Sequence, residues 1–283
     1  MKERQSITTK QTVLMVILAI VVLVISQVLA LSVGELSVTA GLPVAVGNIF
    51  TSILYAGFAC LGVSLMCRNI LKMQMDVLRI TKFQLEPVWV ITAILMPVFV
   101  LVLAMAAGGE WESNVFPAGQ TLATVTGAVF FYGLATGFVE ETIFRGVIMG
   151  VLEMRWNKGI AIFVPSVIFG LLHIIGNELS FLSIIQLLIA GSIVGILFSL
   201  ITYAGGSVWN TAFVHAVWNM AIVGGILHIG SSADTGSMFN FVLDSEAFLI
   251  TGGDFGIEAS VISIVIYLLF IAAAYWIGKR KEI

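Results

Sequence analysis

Long apolar runs alternate with short polar connections along the chain. The runs fall near residues 11–33, 43–66, 88–108, 121–139, 159–176, 181–203, 208–229 and 259–277. A helix of about 20 apolar residues crosses the hydrocarbon core of a bilayer, so each run predicts a membrane-spanning helix. The fourth helix is predicted to continue through Glu140 to Glu153, because no proline interrupts that stretch.

Basic residues predict the orientation of these helices, because Lys and Arg concentrate in the cytoplasmic loops of membrane proteins. With the N-terminus inside, all thirteen basic residues fall in cytoplasmic segments, except that Arg145 lies within the fourth helix. The connections assigned to the outside carry only acids, among them Glu110, Glu178, Asp254 and Glu258. The predicted fold is all-α: a polytopic membrane helical bundle of about eight transmembrane helices, N-in/C-in.

The composition supports lipid as the solvent. Of the 283 residues, 59% are hydrophobic and 10% are charged, whereas about a quarter of the residues in soluble domains are charged. The net charge of −3 gives no basic surface for phosphates, which excludes nucleic acid as a partner. Cys60 and Cys67 lack metal-ligand spacing and are interpreted as reduced thiols. We expect a single transmembrane domain over residues 1–283, in the plasma membrane of a bacterial or archaeal cell.

The two longest connections differ in character. Residues 67–87 mix apolar and basic positions, which predicts a short amphipathic helix on the lipid surface. Residues 230–258 are rich in Gly, Ser and Asp, which predicts a loop outside the membrane. Two pairs of small residues predict close helix packing: Gly146 with Gly150, and Gly191 with Gly195.

Polar side chains within the predicted spans are the candidates for function, since a charge at the bilayer centre costs about 2.5 kcal/mol or more. On a helix, residues four apart share a face, so Glu141 can pair with Arg145 while Glu140 points about 100° away. Glu140 is thus free to face a cavity. The remaining candidates are His173, with Phe169 one turn before it, and His215, with Asn219 one turn after it.

The depth of these residues in the membrane tests whether they can meet. At 1.5 Å per residue, Glu140 and His173 lie roughly 22 Å from the inner boundary, and His215 lies only about 10 Å from it. Convergence therefore requires the seventh helix to tilt or to begin earlier, near Tyr203. The third histidine, His228, is interpreted as structural.

Three short segments carry a resemblance to a known family. They read Glu140-Glu141-Thr-Ile-Phe-Arg145, Phe169-Gly-Leu-Leu-His173 and His215-Ala-Val-Trp-Asn219. These resemble, in order and spacing, the EExxxR, FxxxH and HxxxN/D motifs of the CPBP intramembrane protease family, which includes CAAX prenyl proteases of the Rce1 type and bacterial Abi proteins. The motif-bearing core covers about residues 121–225.

The resemblance implies an intramembrane endopeptidase with water activated by a glutamate. In this reading Glu140 is the general base, His173 helps to hold the water, and His215 and Asn219 donate hydrogen bonds to the oxyanion. Glu141 and Arg145 would support the helix and its charge balance. Peptide hydrolysis requires these functions. No cofactor is then needed. The alternative is a zinc metalloprotease with Glu140, His173 and His215 as ligands of Zn²⁺.

The expected partner is a peptide or protein substrate at the cytoplasmic side of the membrane, either prenylated or carrying a leader peptide. Two other function classes remain. The same fold can serve as a non-catalytic bacteriocin-immunity or scaffold protein, which replacement of Glu140 by Ala would reveal. A proton-coupled transporter also places acids and histidines in the membrane, but it predicts inverted repeats, and none is visible in the sequence.

Overall fold

The structure, a computed structural model, describes residues 7–281, so Lys2 and Arg4 of the predicted cytoplasmic N-terminus lie outside the described residues. The backbone is mainly helical, as the apolar runs predict. The long helices are α1 (Thr9–Thr39), α2 (Val44–Met66), α3 (Pro87–Ala106), α4 (Ala118–Arg155), α5 (Lys158–Leu172), α6 (Phe181–Gly205), α7 (Val208–Trp218) and α8 (Val261–Lys281).

Six helices within residues 7–281 are long and apolar enough to cross a membrane. Their agreement with the predicted runs identifies a polytopic helical membrane protein. Helix α4 is 38 residues long, which confirms that it continues past residue 139. Helix α5 has 15 residues and α7 has 11 before a π-helical turn over Asn219–Val223, and both are shorter than a bilayer core requires. The number of spans, eight, and the N-in/C-in orientation stay predictions.

The surface of the helices is suited to lipid. Ile17, Val28, Ile53, Leu61 and Leu268 each expose half or more of their surface. The opposite side of α1 is packed on α2, with buried residues recurring about every four positions. Apolar exposure of this extent is costly in water and favourable against acyl chains.

A small sheet corrects the all-α prediction and the predicted extent of the seventh span. Its strands are β1 (Gly109–Ser113), β2 (Leu227–Gly230) and β3 (Phe239–Leu243). Strand β3 lies in the centre, antiparallel to β1 and parallel to β2. The helical run after α7 ends at Val223, since Gly225 takes a positive φ of 77° that turns the chain into β2.

The connection between α2 and α3 also differs from the prediction. Leu78 and Ile80 are buried against α4, where Gly150 and Gly146 leave room for them, whereas Val77 and Phe83 of the same connection are more than half exposed. A Cβ atom added to Gly146 would lie 2.8 Å from Ile80 Cγ1. The glycines therefore allow this connection to pack on α4, and in place of the predicted amphipathic helix it forms two short helical turns, Cys67–Leu71 and Met75–Leu78.

The second glycine pair does bring two helices together. A Cβ atom at Gly191 would lie 2.8 Å from Gly170 Cα, and one at Gly195 would lie 2.7 Å from Ser166 Cα. Helices α5 and α6 consequently pack backbone to backbone. This close contact holds α5 beside the residues of α4 that carry the site.

The described basic residues of the connections gather at one end of the bundle, called here the basic end. Hydrogen bonds join them across elements: Arg155 Nε donates to Thr9 Oγ1 at 2.9 Å, and Lys281 Nζ pairs with Glu86. The sheet, with Glu110 and Glu112 on β1, lies at the other end, called here the acidic end. The separation of charge predicted from the sequence is thus present in the fold.

Candidate active site

A buried ion pair on α4 forms the base of the site. Arg145 Nη1 donates to Glu141 Oε1 at 2.9 Å, and both side chains are fully buried. Arg145 Nη2 also donates to the carbonyl oxygen of Gly195, and the guanidinium lies 4.8 Å from the ring centre of Phe169. Phe169 and Phe198 stack against the cation and exclude water from it. The i, i+4 spacing predicts this pair.

Glu141 also links α4 to α7. His215 Nδ1 lies 2.9 Å from Glu141 Oε1, so the carboxylate accepts a hydrogen bond from the imidazole as well as one from Arg145. Gly137 allows this approach, because a Cβ atom there would lie 2.9 Å from the backbone nitrogen of Ala216. The ring of His215 is thereby fixed, with Nδ1 directed to Glu141 and Nε2 to the other side.

The difference in depth estimated from the sequence is absorbed at the start of α7. The amide of Val208 donates to the carbonyl oxygen of Arg79, so α7 begins beside the connection that packs on Gly146. The last turns of α4 therefore extend beyond the start of α7. Glu141 lies roughly 7 Å along α4 from Gly146, and His215 lies roughly 10 Å along α7 from Val208, so the two side chains reach a similar depth.

Glu140 faces away from the ion pair, as its position on the helix predicts. Its Oε2 lies 3.9 Å from His215 Nε2 and is a buried oxygen without a hydrogen-bond partner among the described residues. An unpaired buried carboxylate oxygen is costly unless a ligand or water satisfies it. The orientation is therefore suited to a group that enters from the cavity.

His173 is the residue that directly follows α5. Its Nδ1 lies 2.8 Å from the carbonyl oxygen of Phe169, and the two ring centres are 4.5 Å apart. A carbonyl oxygen can only accept, so Nδ1 carries the hydrogen, and Nε2 of the neutral ring is an acceptor. Phe169 thus fixes both the tautomer and the direction of this imidazole.

Asn219 lies in the π-helical turn after α7, and its Nδ2 donates to the carbonyl oxygen of Tyr132 at 2.9 Å. Tyr132 belongs to a π-helical stretch of α4, Gly127–Thr136. The wide turns of a π-helix displace the following residues, and such turns are frequent at functional sites. Here two of them meet and leave space between the helices.

One cavity of about 400 Å³ collects these side chains. Its lining includes Glu140, His173, His215 and Asn219, together with Phe169. Glu141 and Arg145 do not line it and lie behind His215 and Phe169. All seven candidates from the sequence are therefore in or directly beside one site, and their catalytic roles stay predictions.

The sequence does not reveal one further acid of the cavity. Glu258 lines it from the short connection before α8, and Trp218 Nε1 donates to Glu258 Oε1 at 2.7 Å. Burial raises the pKa of the Glu258 carboxyl, and the hydrogen bond from Trp218 and the charges of His173 and His215 oppose this rise only in part. In the sequence Glu258 is one of several acids in a polar connection, and no motif distinguishes it.

The cavity reaches the surface at the acidic end. Asn177 and Asp254 line it and are exposed, and both belong to connections at that end. Hydrogen bonding from the side chain and the amide of Ser180, and from the hydroxyl of Ser183, lowers the pKa of the Asp254 carboxyl. These bonds fix the connection that carries Glu258 to the start of α6.

A metal centre is not formed by the described residues as they stand. Within residues 7–281, no group of three or more His, Cys, Asp or Glu side chains is arranged to hold a metal ion. The zinc alternative needs Glu140, His173 and His215 as a common ligand set, and the choice between it and the metal-free mechanism stays a prediction.

Residues 121–221 match the family model described as Rce1-like, type II CAAX prenyl endopeptidase. The matched segment contains the three motifs, so the resemblance predicted from them is confirmed. A search of curated proteins and a search of solved structures each gave no match.

Proposed function

From the match of residues 121–221 to the Rce1-like family, we propose that this chain is an intramembrane endopeptidase that uses water activated by Glu140. The observation that carries the proposal is the shared cavity of Glu140, His173, His215 and Asn219. Polar and ionisable groups within a membrane protein are rare and costly, so four of them around one cavity indicate a functional site.

The first step is attack by water. Nε2 of His173, an acceptor in the tautomer fixed by Phe169, holds one hydrogen of the water. Glu140 Oε2, which has no other partner, takes the second proton as the oxygen attacks the peptide carbonyl carbon. The carbonyl π bond opens, and a tetrahedral oxyanion forms.

Side chains of α7 and of the π-helical turn after it stabilise the oxyanion. Asn219 donates one amide hydrogen to Tyr132, which leaves the other for the oxyanion. His215 can donate from Nε2 only as an imidazolium, since its Nδ1 hydrogen is donated to the carboxylate of Glu141. The protonated Glu140 then gives its proton to the leaving amine, the C–N bond breaks, and a carboxylic acid and an amine leave.

The substrate is a peptide segment of a membrane-associated protein, prenylated or with a leader sequence. The exposed residues Asn177 and Asp254 at the mouth favour entry from the acidic end over the cytoplasmic entry expected from the sequence. If the orientation predicted by the positive-inside rule holds, that end faces outward. Access from this side is part of the proposal.

Replacement of Glu140 by Ala tests the function. With purified chain in detergent and a panel of prenylated and leader peptides, the change should lower cleavage by about 100-fold or more, as expected for loss of a general base. Glu153→Gln is the matched control: this acid lies on the same helix but pairs with Arg79 at the basic end. Cleavage unaffected by Glu140→Ala refutes the proposed mechanism. A biological effect that survives Glu140→Ala assigns a scaffold or immunity role.

A further inference from the structure

Glu258 is an acid of the active-site cavity to which the hydrolysis steps give no role. It lies in the short helical turn Ile257–Ala259 that precedes α8, and it lines the cavity together with Glu140, His173 and His215. The three motifs reach the cavity from α4, α7 and the end of α5, so Glu258 belongs to a separate wall. An acid inside a membrane protein is costly and is a candidate for function.

The backbone around Glu258 is held by hydrogen bonds to the adjoining helices. The hydroxyl of Tyr267 on α8 donates to the carbonyl oxygen of Glu258 at 3.2 Å. The amide of Ser180, at the start of α6, donates to Asp254 at 2.8 Å, four residues before Glu258. The connection is thus anchored to α6 and to α8, which gives the Glu258 side chain a defined starting position.

The two carboxyl oxygens of Glu258 have different surroundings. Trp218 Nε1 donates to Oε1 at 2.7 Å, and the indole is itself packed edge-on against the ring of Tyr267. Within residues 7–281 no hydrogen bond is formed to Oε2, and this oxygen is accessible. Since Glu258 lines the cavity, Oε2 is the atom that can bond to an occupant.

The surroundings favour the neutral form of this carboxyl. Burial raises the pKa of the Glu258 carboxyl, and the charge of Glu140 raises it further. The hydrogen bond to Oε1 and the charges of His173 and His215 lower this pKa only in part. Helix α6 carries no charged side chain, and α8 presents the phenol of Tyr267. A neutral carboxyl whose Oε1 accepts a hydrogen bond carries its hydrogen on Oε2 and can donate it.

We propose that Glu258 is a substrate-binding residue, whose neutral carboxyl donates a hydrogen bond from Oε2 to a backbone carbonyl oxygen of the bound peptide. Every peptide brings such acceptors into the cavity, whatever its side chains. The bond positions the chain and leaves the scissile carbonyl to His215 and Asn219. The inference rests on the proposed endopeptidase function and adds a residue outside the three motifs to the site.

The test compares the steady-state kinetics of purified full-length variants on one verified peptide across a range of pH. Glu258→Gln keeps a hydrogen-bond donor of the same shape as the neutral carboxyl, whereas Glu258→Ala removes it. Glu246→Gln is the matched control, because this exposed acid lies in the same connection but outside the lining of the cavity. Melting in detergent is recorded for each variant, which separates a loss of folding from a loss of binding.

Glu258→Ala should raise KM by roughly three- to tenfold and change kcat little, as expected for the loss of one hydrogen bond that binds substrate. Glu258→Gln should keep KM near the wild-type value at low pH. As the pH rises, ionisation removes the hydrogen from Glu258, so KM of the wild type should rise relative to KM of Glu258→Gln. Glu246→Gln should follow the wild type at every pH. If Glu258→Ala does not fold, the comparison of Glu258→Gln with the wild type still decides.

Two results would overturn the inference. One is a ratio of the wild-type KM to that of Glu258→Gln that stays constant across pH. The other is a rise in KM for Glu258→Gln at low pH as large as that for Glu258→Ala, which would make the ionised acid the binding form.

Failure of the proposed function gives a different pattern. A wild-type chain that cleaves no peptide, or cleavage that survives Glu140→Ala, refutes the endopeptidase and this inference with it. Cleavage that Glu140→Ala abolishes but whose KM is insensitive to every change at Glu258 refutes this inference alone.

Discussion

Glu141 and His215 are joined by a 2.9 Å contact between Oε1 and Nδ1, and this contact connects two motifs that lie 74 residues apart. The same oxygen accepts a hydrogen bond from Arg145, so one carboxylate orients the imidazole and neutralises the buried guanidinium. Glu140, the adjacent residue, is left to face the cavity. Two consecutive acids thus have different surroundings because they point to different sides of α4.

Glu141→Gln should destabilise the protein strongly. The change leaves Arg145 charged and fully buried among aromatic rings, and breaking a buried pair in this way costs about 3 kcal/mol or more. Melting of the purified variant in detergent measures the effect. Glu112→Gln, at an exposed acid on β1, is the control and should melt like the wild type.

A second replacement separates the charge effect from a packing effect. Combining Glu141→Gln with Arg145→Met removes the isolated cation and should recover part of the lost stability without restoring activity, because His215 still lacks its carboxylate. A double variant that is less stable than Glu141→Gln alone contradicts this account.

His173→Ala should lower peptide cleavage by about 100-fold, because the acceptor that holds the attacking water is lost. The matched control is His228→Ala. That histidine is on strand β2, outside the lining of the active-site cavity, and its loss should leave cleavage near the wild-type rate. Comparable losses in the two variants would argue against a specific role for His173.

Removal of metal ions should leave cleavage unchanged, since the proposed steps use side chains and water alone. The measurement is turnover of a verified peptide before and after treatment with a strong chelator. Loss of activity that Zn²⁺ restores would establish the metalloprotease alternative and require Glu140, His173 and His215 to move into a common ligand set.

The carboxyl of Glu258 should make stability depend on pH. Its pKa in the folded protein is raised above the ordinary 4.5, chiefly by burial, so folding disfavours the ionised form. Its contribution is therefore fully present below pH 4.5 and is lost as the pH rises through the raised pKa. Glu258→Gln cannot ionise, so the difference in melting temperature between variant and wild type should move in favour of the variant as the pH rises. A constant difference across pH contradicts the burial of this acid.

The side from which substrate enters can be tested by labelling. In a chain with Cys60 and Cys67 replaced by Ser, Asn177→Cys marks the mouth of the active-site cavity and Lys82→Cys marks the basic end. A membrane-impermeant maleimide added to intact cells should label position 177 and not position 82. The reverse pattern would place the cavity mouth in the cytoplasm.

The helical part of the fold was predictable from the long apolar runs. In lipid the backbone N–H and C=O groups of such a run must be hydrogen-bonded within the protein, and an α-helix does this within one segment. The three strands were not predictable. Strands β1 and β3 pair residues more than 120 positions apart, and no local pattern records that these two segments pair. The burial of Leu78 and Ile80 could not be predicted either, because it depends on the space that two distant glycines leave on α4.

Residue types and helical periodicity are local properties, and they were enough to predict the membrane setting, the grouping of basic residues and the residues of the candidate site. The rotation of about 100° between consecutive helical residues was sufficient to predict that Glu140 and Glu141 face different sides of the helix. Contacts between distant segments bring His215 to Glu141, place Glu258 in the lining of the cavity and put the mouth of the cavity at the acidic end. These depend on where α7 begins relative to α4, and that level is set by contacts between distant segments, such as the bond from Val208 to Arg79, which no local pattern records.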